Sequence, residues 1–196
     1  MKKDNYKFFA FTNRLKLISR WSLMHNRFNE SVAEHSQQTA IFAHALGVID
    51  NKIFNLKTDA NLCATLALFH DTTEVLTGDM PTPVKYRNSA MTDAYSEAEK
   101  NAQKQLLDCL PIELKDCYTP LFCLDKNARE CHIVEYADKL SALVKCMQET
   151  ASGNNEFLNA KKSTLDKIKS YNDKTVNYFL DNFIDAFELN LDELLV

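Results

Sequence analysis

Apolar side chains recur through most of this chain at every third or fourth position, which is the spacing of helices that bury one face. The pattern predicts helices over residues 6–18, 31–50, 59–71 and slightly beyond, 89–110, 128–151, 155–170 and 173–188, and a short helix that starts at Pro111. Their expected inward-facing side chains are Phe8, Phe9, Leu15, Ile18, Phe42, Ala45, Leu46, Ile49, Leu62, Leu66, Phe69, Ile133, Ala137, Leu140, Val144, Met147, Phe157, Tyr178, Phe179, Phe183 and Phe187.

Local signals at the ends of these segments agree with the periodicity. Ser31 and Glu34 are spaced as a capping box, and the pair Thr58–Asp59 supplies a cap for the next helix. The segment 78–83 contains two prolines, which remove backbone donors and fix φ, so we predict a stiff loop there. Gly153 is expected to end the helix over 128–151.

The composition favours long helices over sheets. Only 3 glycines and 4 prolines occur in 196 residues, whereas a β-rich protein needs many tight turns that these residues supply. The 45% of apolar residues is enough for a substantial core. We therefore predict an all-α fold and a single domain over residues 1–196, with a metal-binding core at about 31–150.

Charge and cysteine usage restrict the partners and the compartment. The formal net charge of −4 argues against a nucleic-acid polymer, which basic surfaces bind. We find no signal peptide and no apolar run long enough for a membrane span. The 6 cysteines form no C-x-x-C motif and are expected to be reduced thiols. These features predict a cytoplasmic protein with no membrane partner.

Three of the predicted helices carry residues that suit a metal site. His35, the adjacent pair His70–Asp71, and Asp138 lie on different helices, and His70 and Asp71 stand about 100° apart around theirs. Asp138 lies in an apolar stretch, where a carboxylate needs a partner. Two imidazoles and two carboxylates suit Mn, Co, Fe, Zn or Ni better than soft Cu(I).

Each of these residues also has a reading without a metal. A His-Asp dipeptide alone is common, and a single histidine on a helix is more often a core or surface residue. Asp138 could be a surface acid paired with Lys139 or Lys145. The four residues indicate a metal site only when they are taken together with the sequence around them.

That surrounding sequence closely resembles the bacterial HD-domain 5′-deoxynucleotidases. The matching segments are RLKLISRW at 14–21, VAEHS at 32–36, HDTTEVLTGDMPTPVKY at 70–86, ADKL at 137–140 and GNNEF at 153–157. Thr72–Thr73 stand where the family has Ala-Ser, which leaves the metal ligands intact. The resemblance implies an HD-domain helical bundle, a deoxyribonucleoside 5′-monophosphate substrate and a homodimer.

The resemblance also implies one divalent cation, with Co²⁺ or Mn²⁺ as first candidates and Zn²⁺, Fe²⁺, Ni²⁺ or Cu²⁺ as others. The implied metal ligands are His35, His70, Asp71 and Asp138. Glu74 and Arg20 are the implied catalytic residues, the first for proton transfer and the second for the phosphate. We expect Glu74 to share the side of His70 and Asp71 on a continuing helix.

The implied substrate-binding set includes the metal ligands that would face the phosphate. Trp21 is expected to pack on the sugar or base, and the segment from Asp79 to Thr82 to hold the sugar. The whole set is Arg20, Trp21, His35, Asp71, Asp79, Met80, Pro81, Thr82 and Asp138. An apolar wall alone rejects an added hydroxyl only modestly, so a carboxylate and backbone groups of this segment are expected to help exclude a 2′-hydroxyl.

The other histidines argue for one metal rather than two. His44 follows His35 by nine positions, which turns it to the opposite side of the helix, and His132 is about 120° away from Asp138. His25 falls in a loop and has no predicted position. Few further ligands remain for a second cation.

Two alternatives stay open at this stage. Another HD-superfamily enzyme, acting on a cyclic nucleotide, a deoxynucleoside triphosphate or an alarmone, would share the ligands but need more basic residues for the added phosphates. The modest supply near the motifs favours a monophosphate, and its members are Arg20, Lys85, Arg14, Lys16 and Arg27. A non-catalytic nucleotide-sensing module is the second alternative, although such modules often lose a ligand or the nearby acid.

Overall fold

A computed structural model of the protein describes residues 6–122 and 125–196. The α-helices are α1 (Phe8–Thr12), α2 (Val32–Phe54), α3 (Ala60–Phe69), α4 (Glu74–Thr77), α5 (Thr82–Lys85), α6 (Ser89–Leu107), α7 (Ile112–Tyr118), α8 (Arg129–Ala151), α9 (Leu158–Ser170), α10 (Lys174–Phe183) and α11 (Leu191–Leu194). Short 3₁₀ turns span Leu15–Leu17, Thr119–Phe122, Asn155–Phe157 and Ile184–Glu188. Within the described ranges the chain has no strand, and one isolated bridge joins Ser19 to Ser31. The predicted all-α class is confirmed.

The centre of the molecule is formed by α2, α3 and α8, which pack against one another along their apolar stripes. Leu46 of α2 and Leu140 of α8 are fully buried there, as their spacing predicts. Gly47 allows the close approach of α2 and α3, because a Cβ at this position would lie 2.8 Å from the Cα of Ala60. The helices that carry the candidate ligands are therefore held side by side.

A second apolar cluster joins the N-terminal segment to α6 and to the end of α3. Phe8 is fully buried, and its ring centroid lies 5.1 Å from that of Tyr118 and 6.4 Å from that of Phe69. Leu106 of α6 is buried against the same side. This cluster covers the outer side of α3 just before the His70–Asp71 pair.

Several predicted helix ends are confirmed. The backbone N–H of Glu34 donates to Ser31 Oγ, and the backbone N–H of Ser31 donates to the Glu34 carboxylate at 2.7 Å, which completes the capping box. Asp59 caps α3 by accepting from the Leu62 N–H at 3.0 Å. Gly153 follows α8 with a φ of +84°, a conformation that glycine adopts without strain.

Two predicted helices are interrupted. The segment 6–18 divides into α1 and a 3₁₀ turn, with Thr12 and Asn13 at the break. The helix expected to continue past Asp71 ends at Phe69, and a turn over residues 70–73 separates it from α4. Threonine and asparagine are weak helix formers, because their side chains lose rotamer freedom or compete for backbone bonds. The turn contains Thr72 and Thr73, which explains the second break.

Smaller corrections concern the proline loop and the end of the chain. The predicted loop at 78–83 ends earlier, since α5 begins at Thr82 with Pro83 in its first turn, a position that proline suits. The helix expected over 173–188 changes to a 3₁₀ turn after Phe183, and α11 was not predicted. The final turns are short and contribute little apolar periodicity.

Three side chains expected to face inward are exposed instead. They are Phe9, Leu62 and Phe183, which are 56%, 39% and 45% exposed. Phe9 lies in a helix that ends earlier than predicted and is only partly covered, by Phe8 and by Tyr118 of α7. Phe183 is the last residue of α10, which also ends earlier than predicted. Leu62 lies in the first turn of α3, near the exposed start of that helix.

Among the described cysteines, 63, 109, 117, 131 and 146 are free thiols, in agreement with the prediction of a reduced chain. Cys123 lies outside the described residues. In the part of the chain that the structure covers, no helix combines the length and the apolar character needed to cross a bilayer.

Candidate metal centre

The four candidate ligands come together in one cluster. His35 lies in the first turn of α2, the pair His70–Asp71 directly follows α3, and Asp138 lies in the middle of α8. His35, His70 and Asp138 each offer a ligand atom within 4.8 Å of the others. His35 Nε2 is 3.1 Å from Asp138 Oδ1. The packing of α2, α3 and α8 is what places these residues together.

Asp71 closes the cluster from the side of the turn. Its Oδ2 lies 3.1 Å from His70 Nε2 and 3.6 Å from His35 Nε2. The interrupted helix does not separate the two neighbours, since both His70 and Asp71 face the same cluster. Two imidazole nitrogens and two carboxylates thus surround one point.

The hydrogen bonds of the two imidazoles orient their Nε2 atoms towards the cluster. His70 Nδ1 donates to the Ala67 carbonyl at 2.6 Å, and His70 Nε2 is buried without a hydrogen-bond partner in the described structure. Ser141 Oγ donates to Gln38 Oε1 at 2.8 Å, so it accepts from His35 Nδ1, which is 3.1 Å away. Each ring therefore presents a lone pair on Nε2, which is the arrangement of a histidine that binds a metal.

The pKa values of the two imidazoles are shifted in opposite directions. Burial lowers the pKa of His35, and the Arg20 guanidinium adds to this effect, so the neutral ring is favoured. Burial also acts to lower the pKa of His70, but the Asp71 carboxylate outweighs it and the pKa is raised.

Both carboxylates stay ionised at neutral pH. Burial opposes their charge, but nearby cationic groups outweigh it and hold the pKa of each carboxyl below its usual value. His70 has the largest such effect on Asp71, and Lys139 on Asp138. Lys139 Nζ donates to Asp138 Oδ2 at 2.8 Å, which leaves Oδ1 directed at His35. The two carboxylates can therefore serve as anionic ligands of a divalent cation.

Glu74 is the first residue of α4 and lies beside this cluster. Burial raises its pKa to about 10, with further contributions from the negative charges of Asp71 and Asp79. Its Oε2 is buried and has no hydrogen-bond partner in the described structure. A carboxyl group in this environment is suited to exchanging a proton, which is a property of catalytic acids and bases.

Arg20 reaches the cluster from the loop between the first 3₁₀ turn and α2. Its guanidinium Nη1 lies 3.4 Å from Asp71 Oδ2, and its Nε lies 3.2 Å from Glu30 Oε2. Trp21 Nε1 donates to the same oxygen of Glu30 at 2.9 Å. The Trp21 ring packs against Phe157, with centroids 5.3 Å apart. The Glu30 carboxylate thus orients both the Arg20 guanidinium and the Trp21 indole.

The proline-containing segment lies next to this loop. Burial raises the pKa of the Asp79 carboxyl, although the Arg20 guanidinium and the backbone N–H of Trp21 act to lower it. Asp79, Met80 and Pro81 are half-buried, whereas Thr82 is exposed at the start of α5. The structure therefore places Asp79 near Arg20 and Trp21 and leaves Thr82 at the exposed end of the segment.

The remaining histidines lie away from the cluster, as their helical positions predict. His44 is exposed and lines a shallow cavity with Ile41 and Leu68. His132 stacks on Tyr136, with ring centroids 6.4 Å apart. His25, which the sequence left unplaced, lies 3.0 Å from the Glu156 carboxylate.

The sequence did not identify three residues that support the site. Glu30, Lys139 and Ser141 contact Arg20, Asp138 and His35 respectively. Lys139 does pair with Asp138, but Asp138 is not a surface acid, because Lys139 bonds only its Oδ2 while Oδ1 faces His35. The spacing of Ser141, one turn after Asp138, was the available signal for its contact with the site.

Comparison with solved structures defines the class of this protein. An HD-domain phosphohydrolase from Listeria innocua superposes with a TM-score of 0.82 at 25% identity, over 97% of this chain and 92% of the other. The cyanophage S-2L HD phosphohydrolase DatZ, solved with dA and one catalytic Zn²⁺ ion, shares the fold with a TM-score of 0.63 at 17% identity, over 91% of this chain and 95% of the other. With its His and Asp cluster, this protein is an HD-domain phosphohydrolase.

Its family follows from the sequence comparisons. The family model described as 5′-deoxynucleotidase YfbR-like matches residues 7–187. Proteins named 5′-deoxynucleotidase YfbR from Shigella boydii serotype 18 and from Escherichia coli K12 are each 46% identical over 190 residues, which are 95% of this chain and 94% of theirs. The chain belongs to the YfbR-like 5′-deoxynucleotidase family. The predicted family, helical-bundle fold and hydrolase class are confirmed.

Proposed function

We propose that this protein hydrolyses deoxyribonucleoside 5′-monophosphates to deoxynucleoside and phosphate with the help of one divalent cation. The observation that carries the proposal is the cluster of two imidazole Nε2 atoms and two ionised carboxylates beside Arg20 and Glu74. The family relatives named as 5′-deoxynucleotidases support the substrate class.

His35, His70, Asp71 and Asp138 are the proposed metal ligands. The Nδ1 hydrogen bonds that direct both Nε2 atoms into the cluster support this assignment, as do the low pKa values of the two carboxyls. A bound divalent cation supplies charge for the phosphate oxygens and makes a water molecule easier to deprotonate. The mixed N and O donors suit Co²⁺ or Mn²⁺, with Zn²⁺, Fe²⁺, Ni²⁺ and Cu²⁺ as the other candidates.

Arg20 and Glu74 are the proposed catalytic residues. The Arg20 guanidinium presents a planar set of donors that matches phosphate oxygens and stabilises their growing negative charge. With its pKa raised to about 10, the Glu74 carboxyl is protonated at neutral pH and suited to giving a proton to the leaving 5′-oxygen. To take a proton from the attacking water it would need a nearby bound cation to lower this pKa. Its buried, unpaired Oε2 supports this role, because a purely structural acid would be hydrogen-bonded.

The nucleoside part of the substrate is proposed to lie between Trp21 and the segment from Asp79 to Thr82. Trp21 offers an aromatic face for the sugar or base, and the half-buried Asp79 offers a carboxylate for a sugar hydroxyl. The exposed position of Thr82 assigns it an outer place in this pocket. Selectivity for deoxy sugars would arise from the close fit of this segment.

Phosphate release from a panel of nucleotides tests the proposal. Ribo- and deoxyribonucleoside 5′-mono-, di- and triphosphates, together with cyclic nucleotides, are offered after chelation and with each metal restored separately. We expect release only with metal and fastest with deoxyribonucleoside monophosphates. Preference for triphosphates or cyclic nucleotides would favour another HD-superfamily activity, and no release with any metal would favour a non-catalytic module.

We further propose a cytoplasmic homodimer in which each chain folds as a single domain over residues 1–196. The proposal rests on the resemblance to the family and on the composition of the chain. Sedimentation of the purified protein tests the assembly, and a single species with the mass of one 22.5 kDa chain would contradict it.

A further inference from the structure

The GNNEF segment at 153–157 matches the family closely, but it contains no residue of the proposed site. It lies directly after α8, whose last turn carries Glu149. Glu149 is fully buried although it is a carboxylate. A buried charge needs compensation, so the partners of Glu149 indicate what it does.

The partners of Glu149 come from its own helix and from two loops. Its carboxylate accepts from Lys145 Nζ at 2.6 Å and from Asn154 Nδ2 at 2.7 Å. It also accepts from the backbone N–H groups of Arg27 and Phe28, each at 3.0 Å. These bonds hold the pKa of Glu149 at about 2 despite its burial. Two of the four donors belong to the loop that carries Arg20 and Trp21.

The same residues hold that loop by further bonds. Lys145 Nζ donates to the Phe28 carbonyl as well, so both backbone groups of Phe28 are bound. Asn154 Nδ2 donates to the His25 carbonyl at 2.7 Å, and the backbone N–H of His25 donates to the Glu156 carboxylate at 3.2 Å. Side chains from the end of α8 and from the GNNEF segment thus bond backbone groups of this loop that have no partner in a helix or strand.

The other half of the loop holds the functional side chains in a strained conformation. Trp21 has a φ of +58°, which is unfavourable for a bulky side chain and persists only where surrounding contacts require it. The Arg20 N–H donates to the Glu30 carbonyl at 2.9 Å, and both side chains bond the Glu30 carboxylate. Trp21 also packs on Phe157, the last residue of the GNNEF segment. Phe157 belongs to the same segment as Asn154, which bonds Glu149, so the packing of Trp21 connects it to the residues around Glu149.

We propose that Glu149 is a positioning residue, which holds the loop over residues 20–30 so that Arg20 and Trp21 face the metal centre. It contacts no proposed ligand and acts through Arg27 and Phe28. Lys145 and Asn154 complete the anchor. The inference rests on the proposed function in one respect, namely that Arg20 and Trp21 bind the substrate.

The fluorescence of Trp21 tests the positioning directly, because it is the only tryptophan in the sequence. Glu149→Gln keeps the shape of the side chain but removes its charge and turns one acceptor into a donor. Asp50→Asn is the matched control: Asp50 is also fully buried and bonds Arg129, but it lies fifteen residues after His35, or about 22 Å along α2. Both variants are compared with the wild type in bound metal, thermal stability, acrylamide quenching of Trp21, kcat and KM.

We expect Glu149→Gln to retain its metal, to expose Trp21 to quenching and to lower kcat/KM for a deoxyribonucleoside monophosphate roughly 10- to 100-fold, chiefly through KM. Asp50→Asn should lose stability with unchanged quenching and unchanged kcat/KM. If Glu149→Gln loses stability in the same way, with quenching and kcat/KM unchanged, Glu149 is only structural and the proposal is wrong.

Two further variants allow the experiment to decide even if Glu149→Gln does not fold. Asn154→Ala removes two bonds of the anchor from a partly exposed position and should shift quenching and KM in the same direction by a smaller factor even if Glu149→Gln fails to fold. Unchanged quenching in Asn154→Ala would then overturn the proposal. Arg20→Ala separates the two inferences: if it leaves KM unchanged, the role of Arg20 fails, while the quenching data still decide the role of Glu149.

Discussion

At the scale of single residues, the site is defined by which atom of each side chain remains free. His35 and His70 each use Nδ1 for a hydrogen bond within the protein and keep Nε2 for the cluster. Asp138 uses one oxygen for Lys139 and directs the other to His35. Glu74 differs from all of these, because its Oε2 is buried without a hydrogen-bond partner in the described structure. The ligands and the proton-transfer residue should therefore fail in different ways when they are replaced.

We expect His35→Ala to lose bound metal together with turnover, since it removes an Nε2 donor. Glu74→Gln should keep its metal and lower kcat roughly 100- to 10,000-fold, because it removes proton transfer but no proposed ligand. Metal content by atomic spectroscopy and phosphate release measure the two effects. Turnover and metal content that are unchanged in both variants would refute the assignment.

Ser141 provides a test of how the His35 ring is oriented. We expect Ser141→Ala to weaken metal binding about 10- to 100-fold, because His35 Nδ1 loses the partner that fixes the ring. Ser36→Ala is the matched control, since Ser36 is buried on the same helix and its Oγ has no hydrogen-bond partner in the described structure. Titration of the chelated protein with Mn²⁺ or Co²⁺ measures both. Equal affinities in the two variants would show that the Ser141 contact is unimportant.

At the scale of elements, helical periodicity predicted α2 and α8 well and the short connecting elements poorly. The stripe of Ile133, Leu140 and Met147 is buried as expected, because each helix is long enough for its apolar face to repeat. The turn at 70–73 was missed, because one helical turn carries too few apolar positions to show where a helix stops. The same limit applies to α1, whose Phe9 faces solvent.

Adding one methyl group at Gly47 tests the close contact of α2 and α3. In an ordinary helix, Gly→Ala stabilises by about 0.5–1 kcal/mol. Here the new Cβ would lie 2.8 Å from a backbone atom of Ala60, which cannot move without shifting the helix. We expect Gly47→Ala to lower the free energy of unfolding by about 1–3 kcal/mol in urea titrations. A gain in stability would contradict the observed approach of the helices.

At the scale of the whole molecule, α8 is held at both ends by buried charges while its middle carries Asp138. Arg129 at its start bonds Asp50 at 2.8 Å and Asp173 at 2.6 Å. Glu149 at its end forms the anchor of the loop over residues 20–30. Both ends tie α8 to elements distant in sequence.

The buried Glu149 predicts how stability changes with pH. Its pKa is about 2 in the folded protein, against an ordinary value of 4.5, so its ionised form stabilises the fold. This stabilisation is present above pH 4.5 and is lost as the pH falls towards 2. We expect the free energy of unfolding to decrease over this interval and Glu149→Gln to flatten the decrease. Glu97→Gln, at an exposed position, is the control, and an identical flattening there would contradict the assignment.

Much of this protein was determined by the sequence alone: the all-α class, the long helices, their caps, and the family to which the motifs point. These features depend on the spacing and type of residues close together in the chain, where helix geometry relates sequence directly to structure. The block from His70 to Tyr86 is of this kind. Its residues are informative without any knowledge of the fold.

Only the tertiary structure decided how the candidate residues are held. Ser141 bonds His35 across 106 positions, and Glu149 bonds Arg27 across 122 positions. No local pattern encodes such pairs, because they form only after α2 and α8 have packed side by side. The left-handed backbone of Trp21 is a feature of the same kind, since Trp21 itself disfavours this conformation and its side chain is held by Glu30 and by the distant Phe157.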